Sequence, residues 1–314
     1  MTEHSMPMVS VCMITYNQEK YITQAIDSVL SQKIDFPIEV LVGEDCSTDA
    51  TRAIVLEYER KYPHLIRAIL SQTNLGANKN LVGVLKAAKG RYISLLEGDD
   101  FWTSPQKLKE QVEFLEQHPE CSVCCHRIER YIQAEDQTRG VWPDPDPPAI
   151  TTVEDLLKLN YIPTCSVMYR NVVRTIPEGY TELQVGDWPL HVLYAQKGAI
   201  GFLAATLARY RVHSTSIFSP LTTLQKTEAV FKTREFMYPW LAKKHRKILG
   251  PVILDYCYQI ARMSLENQDT VKARQYLSRG LHYFSHFGSY NGRKTYLKLC
   301  LKAFFPRVHG FLSR

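Results

Sequence analysis

The stretch Leu95-Leu96-Glu97-Gly98-Asp99-Asp100-Phe101-Trp102 decides how this chain is read. It closes an apolar run, Arg91-Tyr92-Ile93-Ser94-Leu95-Leu96, whose composition predicts a buried strand. Three carboxylates then follow within four residues, around a single glycine. Carboxylates this close repel one another, and the usual relief is a counter-charge. A divalent cation such as Mg²⁺ or Mn²⁺ is the simplest one. Hard cations take oxygen ligands and leave positions for substrate phosphates. In open α/β sheets, ligands gather beyond the C-terminal ends of the strands. The competing reading is a solvated acidic turn that caps a helix, so the flanking sequence has to decide.

Upstream, Val9-Ser-Val-Cys-Met-Ile-Thr15 is a continuous apolar run ending in Tyr16-Asn17-Gln18. That is the pattern of a strand covered on both faces. Ile22, Ala25, Ile26, Val29 and Leu30 then keep helical spacing. The same alternation predicts strands at 38–43 and 65–70 and helices at 50–62 and 79–88, the last ended by Gly90 as a C-cap. Ser104-Pro105 should open a further helix, with proline in its first turn. Strands alternating with helices of this length imply a mostly parallel sheet with helices on both faces. The polar clusters 15–17, 44–49, 74–78 and 97–100 each follow a strand, so they should collect at one sheet edge. Neither G-x-G-x-x-G after the first strand nor G-x-x-x-x-G-K-[ST] is present, so a diphosphate there needs another source of positive charge.

The 314 residues are enough for two units. Residues 221–314 carry 17 Lys/Arg against 5 Asp/Glu, whereas residues 1–220 carry 21 against 27. The expected division is a catalytic domain over 1–220 and a basic helical region over 221–314. No run of 18 apolar residues and no secretory leader pattern stands out, which predicts a cytoplasmic protein with its eight cysteines reduced. Cys121-Ser-Val-Cys-Cys-His126 lacks a second ligand pair and reads as a buried strand. Residues 133–148 read as a loop or connector, and 164–169 as another buried strand. Thr151-Thr152-Val153-Glu154 resembles a capping box.

Val9-Ser-Val…Thr15-Tyr16-Asn17, Glu44-Asp45-x-Ser47-x-Asp49, Asn74-x-Gly76 and Glu97-x-Asp99-Asp100, in this order and spacing, resemble a family 2 glycosyltransferase of the GT-A fold over residues 7–215. The resemblance implies an inverting transferase that uses a UDP- or dTDP-linked sugar. Carried over position by position, Thr15, Tyr16 and Asn17 line the base pocket. Asp45, beside Glu44, hydrogen-bonds the base, and Asn74 and Asn78 shape the ribose side. Glu97, Asp99 and Asp100 occupy the D-x-D-type position, with Asp99 and Asp100 toward a Mn²⁺ or Mg²⁺ ion. This chain has Glu97 where Asp is commoner.

Gln184-Val-Gly-Asp187-Trp-Pro-Leu190 places Asp187 where it should cap a helix running to about Gln196. The resemblance makes Asp187 the base that takes the acceptor hydroxyl's proton. Arg209-Tyr-Arg211-Val-His213-Ser-Thr-Ser216 matches the family's Tyr-Arg-x-His segment, implying phosphate contact by Arg211 and metal or diphosphate contact by His213. A nucleotidyltransferase and a degenerate binding protein acting through the basic helices are the competing readings.

In the basic region, 253–264 and 273–284 predict a helical hairpin turning at Asn267-Gln268-Asp269. The segment 296–306 mixes apolar and basic residues. It suggests either packing on the catalytic domain or contact with the inner face of a membrane bearing a lipid-linked saccharide acceptor. No nucleic-acid partner is expected.

Overall fold

The structure is a computed structural model that describes residues 6–214, 221–286 and 290–305. Four strands, β1 (Val9–Thr15), β2 (Ile38–Glu44), β3 (Ile66–Leu70) and β4 (Tyr92–Glu97), alternate with helices α1 (Ile22–Leu30), α2 (Thr51–Lys61) and α3 (Ala77–Ala87). β2 and β4 flank β1 in parallel, and β3 adds to β2. A second part follows: β5 (Phe101–Trp102), α4 (Lys107–Gln117), β6 (Cys121–Ile132), β7 (Gln137–Trp142), β8 (Ile150–Thr151), α5 (Val153–Lys158), β9 (Met168–Arg170), α6 (Asp187–Ala195) and β10 (Ala199–Val212). The sheet order is β3-β2-β1-β4-β9-β6-β10-β5, with β7 on β6 and β8 on β10. β6 and β10 are parallel. The three-residue β9 runs antiparallel to both β4 and β6 and joins the two parallel sets. The sheet is therefore α/β and mostly parallel, with helices flanking it, as the sequence predicts.

Ile22, Ala25, Ile26 and Val29 of α1 are buried against Val11, Met13 and Val42, which is why one helical stripe and a two-sided apolar strand coexist in this sequence. Register does the positioning. Thr15 lies opposite Glu44, and Ile14 opposite Glu97, so the strands end level and release their polar tips at one edge.

Several local expectations need correction. α3 ends at Ala87, and Gly90 is not its left-handed cap. Gly90 is there for space: a Cβ would lie 2.4 Å from the Ser10 nitrogen and 2.7 Å from the Tyr92 carbonyl. α4 starts at Lys107 behind Gln106, leaving Pro105 in the preceding turn, outside the helix. Residues 164–166 form a 3₁₀ turn ahead of the short β9. The expected 133–148 loop contains β7, paired with β6. Asp136 in the left-handed region makes the turn, and its carboxylate receives the Tyr131 hydroxyl. The capping box is real but uses Thr152 and Asp155, one residue later than read.

The chain divides into two compact units, Met1–Glu182 with Gly186–Thr215, and Leu183–Val185 with Ser216–Arg314. The expected 220/221 boundary falls beside residues outside the described set. The second unit is helical: α7 (Thr223–Met237), α8 (Lys243–Glu266), α9 (Thr270–Gly280) and α10 (Tyr290–Phe304). α8 and α9 form the hairpin, with Gln268 at positive φ and the Asp269 side chain capping α9 at the Lys272 amide, 2.9 Å away. Cys257, Ile260 and Ala261 pack with Ala273 and Leu277 in its buried interior. The helical spacing overreached at its end: Leu281 is exposed, and 281–286 is 3₁₀.

Gly90→Ala should destabilise the protein by about 2–3 kcal/mol, because the obstructing atoms are backbone and cannot turn aside. Urea unfolding would register this as a lower midpoint at unchanged slope, and an unshifted midpoint would contradict it.

Candidate active site

The acidic turn is built by exclusion of space. Gly98 donates its amide to the Ile14 carbonyl at 2.9 Å. A Cβ there would lie 2.5 Å from Gln18 Oε1 and 2.8 Å from Thr15 Oγ1. The end of β4 thus presses on the end of β1, and the Thr15 hydroxyl donates to Gln18 Oε1 at 2.8 Å. The Asp100 amide closes the turn on the Glu97 carbonyl at 3.1 Å.

Asp100 is 1% exposed. Its Oδ1 accepts the Arg211 amide at 2.8 Å, while Oδ2 faces the Cys165 thiol and finds no other donor. The Asp99 carboxylate has its Oδ2 2.9 Å from His213 Nε2, and the His213 ring packs on Tyr21. Arg211 holds the turn from β10. Its Nε donates to the Asp99 carbonyl at 2.6 Å, and its terminal nitrogens donate to Gln133 and Gln24. The guanidinium lies 4.8–5.2 Å from the ring centres of Tyr21, Phe101 and Tyr131. Three of its five N–H donors are therefore taken up by the protein. Arg211 fixes the carboxylates, and only its remaining donors are left for a phosphate. Thr215 and Ser216 of the same motif lie outside the described residues.

Electrostatics follow from this crowding. Burial, then the charges of Asp100, Asp99 and Asp187, push the Glu97 carboxyl well above the ordinary range. Burial and then Asp99 push Asp100 up as well, partly offset by Arg211 and Cys165. The coupling of Glu97 to Asp187 shows that the acidic turn and the start of α6 sit within electrostatic reach. Asp187 is the first residue of α6, not its cap; Gly186 takes that place without a side-chain cap. Its Oδ2 accepts from Asn160 Nδ2 at 3.2 Å.

The other clusters act partly as scaffolding. Glu44 is fully buried, with one oxygen on the Ser47 amide at 2.7 Å and the other on Arg52. Asp45 accepts the Leu75 and Gly76 amides, both at 2.8 Å, and so ties β2 to the loop before α3. Asn17, at positive φ, receives the Thr48 amide at 2.8 Å and donates its own amide to Ser47 Oγ at 3.0 Å. Asn74 accepts from the Gly76 amide at 3.1 Å. Tyr16 stays exposed, with a face available for stacking. Asn78 stands against the start of α6 instead of merely lining the loop: a Cβ at Gly186 would fall 1.9 Å from its Oδ1, and its Nδ2 reaches the Tyr180 carbonyl at 3.5 Å. Gln18, Gln24, Gln133 and Asn160 are supports the sequence did not flag. Isolated amides carry no spacing signal, and their partners are up to 187 residues away.

Among the described residues, no three His, Cys, Asp or Glu side chains converge into a ready metal cage. The donor set nonetheless suits a hard cation. Asp99 and His213 form a paired edge, and Asp100 keeps a buried carboxylate oxygen with only a thiol beside it. Mg²⁺ commonly takes one or two carboxylates and completes its shell with substrate oxygens and water.

The profile described as glycosyl transferase family 2 matches residues 10–176. An uncharacterized protein of Mycobacterium tuberculosis is 42% identical over 212 residues, 67% of this chain and 60% of that protein. The chain thus spans about three-fifths of the length of its mycobacterial relatives. The putative teichuronic acid biosynthesis glycosyltransferase TuaG of Bacillus subtilis is 32% identical over 243 residues, 76% of this chain and 90% of that one. Among solved structures, Staphylococcus aureus TarS (residues 1–349, with UDP-GlcNAc) superposes with a TM-score of 0.63 at 23% identity, over 88% of this chain and 81% of that one. The Pyrobaculum calidifontis mannosyltransferase PcManGT, with GDP-Man and Mn²⁺, gives 0.59 at 14%, over 96% and 88%.

Raised carboxyls make folding cost more as they ionise. The folded state binds the extra proton, so stability is full below the ordinary carboxylate range and is lost as pH rises above that range through the raised folded values. Asp100→Asn keeps an acceptor for the Arg211 amide and removes one of these charges. We expect its melting temperature at pH 7.5 to exceed the parent's by several degrees, with a shallower fall from pH 5 to 8. An equal or lower melting temperature at pH 7.5 would contradict the electrostatic account.

Proposed function

Because the chain belongs to glycosyl transferase family 2 and is therefore a glycosyltransferase, we propose that it transfers a sugar from a UDP- or dTDP-sugar to an acceptor hydroxyl with inversion. The observation that carries the reading is the juxtaposition at one sheet edge of the Glu97–Asp100 turn with Asp187, whose charge reaches Glu97. A divalent cation held by Asp99, Asp100 and His213 would offset the negative charge that develops on the departing diphosphate.

The chain's own groups supply the rest. Asp45 uses the second lone pairs of its oxygens to accept the N–H of a uracil or thymine ring, since each oxygen already holds one loop amide. Tyr16 stacks on the base, with Thr15 and Asn17 shaping the same pocket, and Glu44 keeps the 44–49 loop in place. Asn74 lines the ribose side. Asn78 supports the Gly186–Asp187 turn. Arg211 orients Asp99 and Asp100. Asp187, held by Asn160, takes the acceptor proton, and a single carboxylate suffices for an inverting displacement. A retaining double displacement would require a nucleophile as well.

The S. aureus TarS fragment was crystallised with UDP-GlcNAc, and the B. subtilis relative is named for teichuronic acid biosynthesis. The first supports a UDP-sugar donor and the second a surface-polysaccharide acceptor. We assign the chemistry to the first unit and treat residues 221–314 as a separate basic helical region.

Asp187→Asn should lower transfer by about 10²–10⁴-fold while leaving donor affinity unchanged, measured by product formation and by calorimetric titration of UDP-sugars. Ordinary turnover in that variant would remove Asp187 from the base role. Chelation with EDTA should suppress transfer, and Mn²⁺ or Mg²⁺ should restore it; undiminished transfer in EDTA would remove the cation from the reaction.

A further inference from the structure

We propose that α10 is a peripheral docking helix for anionic lipid bilayers. This helix faces its own unit with Tyr296 and Ala303. The Tyr296 hydroxyl donates to the Leu277 carbonyl at 2.6 Å, and the Ala303 carbonyl accepts from Arg274 Nε at 2.9 Å. An adjacent face, about 100° around the helix from the buried pair, carries Leu297 and Phe304, 49% and 38% exposed, and runs on into Phe305, 59% exposed just past the helix end. Leu297, Leu301 and Phe304 follow at i, i+4 and i+7, so they form one apolar strip. Arg293, Lys294, Lys298 and Lys302 border it, all exposed, and α10 contains no acidic residue.

This pairing of exposed large apolar groups with an unbroken cationic border fits an anionic lipid surface better than its competitors. A nucleic acid would meet the lysines but leave Leu297 and Phe304 in water. A second copy of the helical unit offers poor charge complementarity. Of the five acids in 221–314, Glu228, Glu235 and Glu266 pair with Lys272, Arg279 and Arg262, and Asp269 caps α9. The nine residues after Phe305 add Arg307 and Arg314 and no acid. An interfacial helix seats Leu and Phe at the acyl boundary and places its cations at the headgroups, where each contributes to binding within a Debye length.

This inference is independent of the proposed sugar transfer, and the test keeps them apart. The full chain is sedimented with vesicles of phosphatidylcholine and with vesicles of equal parts phosphatidylcholine and phosphatidylglycerol. Binding should require phosphatidylglycerol and weaken as salt is raised. Lys294→Gln/Lys298→Gln should weaken it by roughly thirtyfold, at about fivefold per lysine, without altering hydrolysis of a soluble UDP-sugar. Leu297→Ser should weaken it while keeping the salt dependence. Lys243→Gln/Lys244→Gln, an equal loss of charge at the start of α8, should change it by less than threefold. Equal binding to both vesicles, equal losses in the two lysine pairs, or tighter binding to a mixed-sequence oligonucleotide than to the anionic vesicles would each overturn the proposal.

Discussion

Like charges crowded together at the end of β4 are the constraint to which the rest of the first unit answers. Glu97, Asp99 and Asp100 cannot move apart, because Gly98 is pressed on Thr15 and Gln18 and the strands on either side end in register. Nor can Asp100 turn to solvent, because β10 brings Arg211 across the turn. Aromatic rings surround the guanidinium, and Gln24 and Gln133 orient it, so one buried cation faces several carboxylates. Burial first, and then that imbalance, raises the Glu97 and Asp100 carboxyls. A fold optimised only for stability would have apolar groups here. Unbalanced charge retained against its desolvation cost marks the turn as a candidate functional site.

How much of this was legible depended on whether the signal was local. The parallel strands were legible because a strand buried on both faces must be apolar throughout, as Val9–Thr15 is. The acidic turn was legible because three carboxylates stand in four positions. Gly90 and Pro105 misled for a common reason: each residue has a strong local preference, and tertiary contacts overrode it. Gly90 answers to Ser10, eighty residues earlier, and Pro105 to a turn whose carbonyl caps Lys33. β7 was missed because its exposed polar residues look like a loop until Asp136 turns the chain back on β6. The supporting amides were beyond reach altogether. Asn160 and Gln133 acquire meaning only when folding brings them to Asp187 and Arg211.

Residues that resemble a substrate pocket also build it. Glu44 and Asn17 hold the 44–49 loop to the end of β1, and Asp45 clamps the amides of Leu75 and Gly76. Gly76 sits at φ +86, a conformation that side chains rarely tolerate, and it begins α3. Two residues on, Asn78 fills the space against Gly186 that any side chain at 186 would need. Asp187 follows directly. The carboxylate expected to meet the base and the carboxylate expected to take the proton are thus linked by a short run of contacts that includes no flexible side chain of great length. The places of Asp45 and of the start of α6 are thus set by the same loop: Asp45 holds the amides of Leu75 and Gly76, and Asn78 abuts Gly186. The precision resides in the backbone between 74 and 78, and the two carboxylates inherit it.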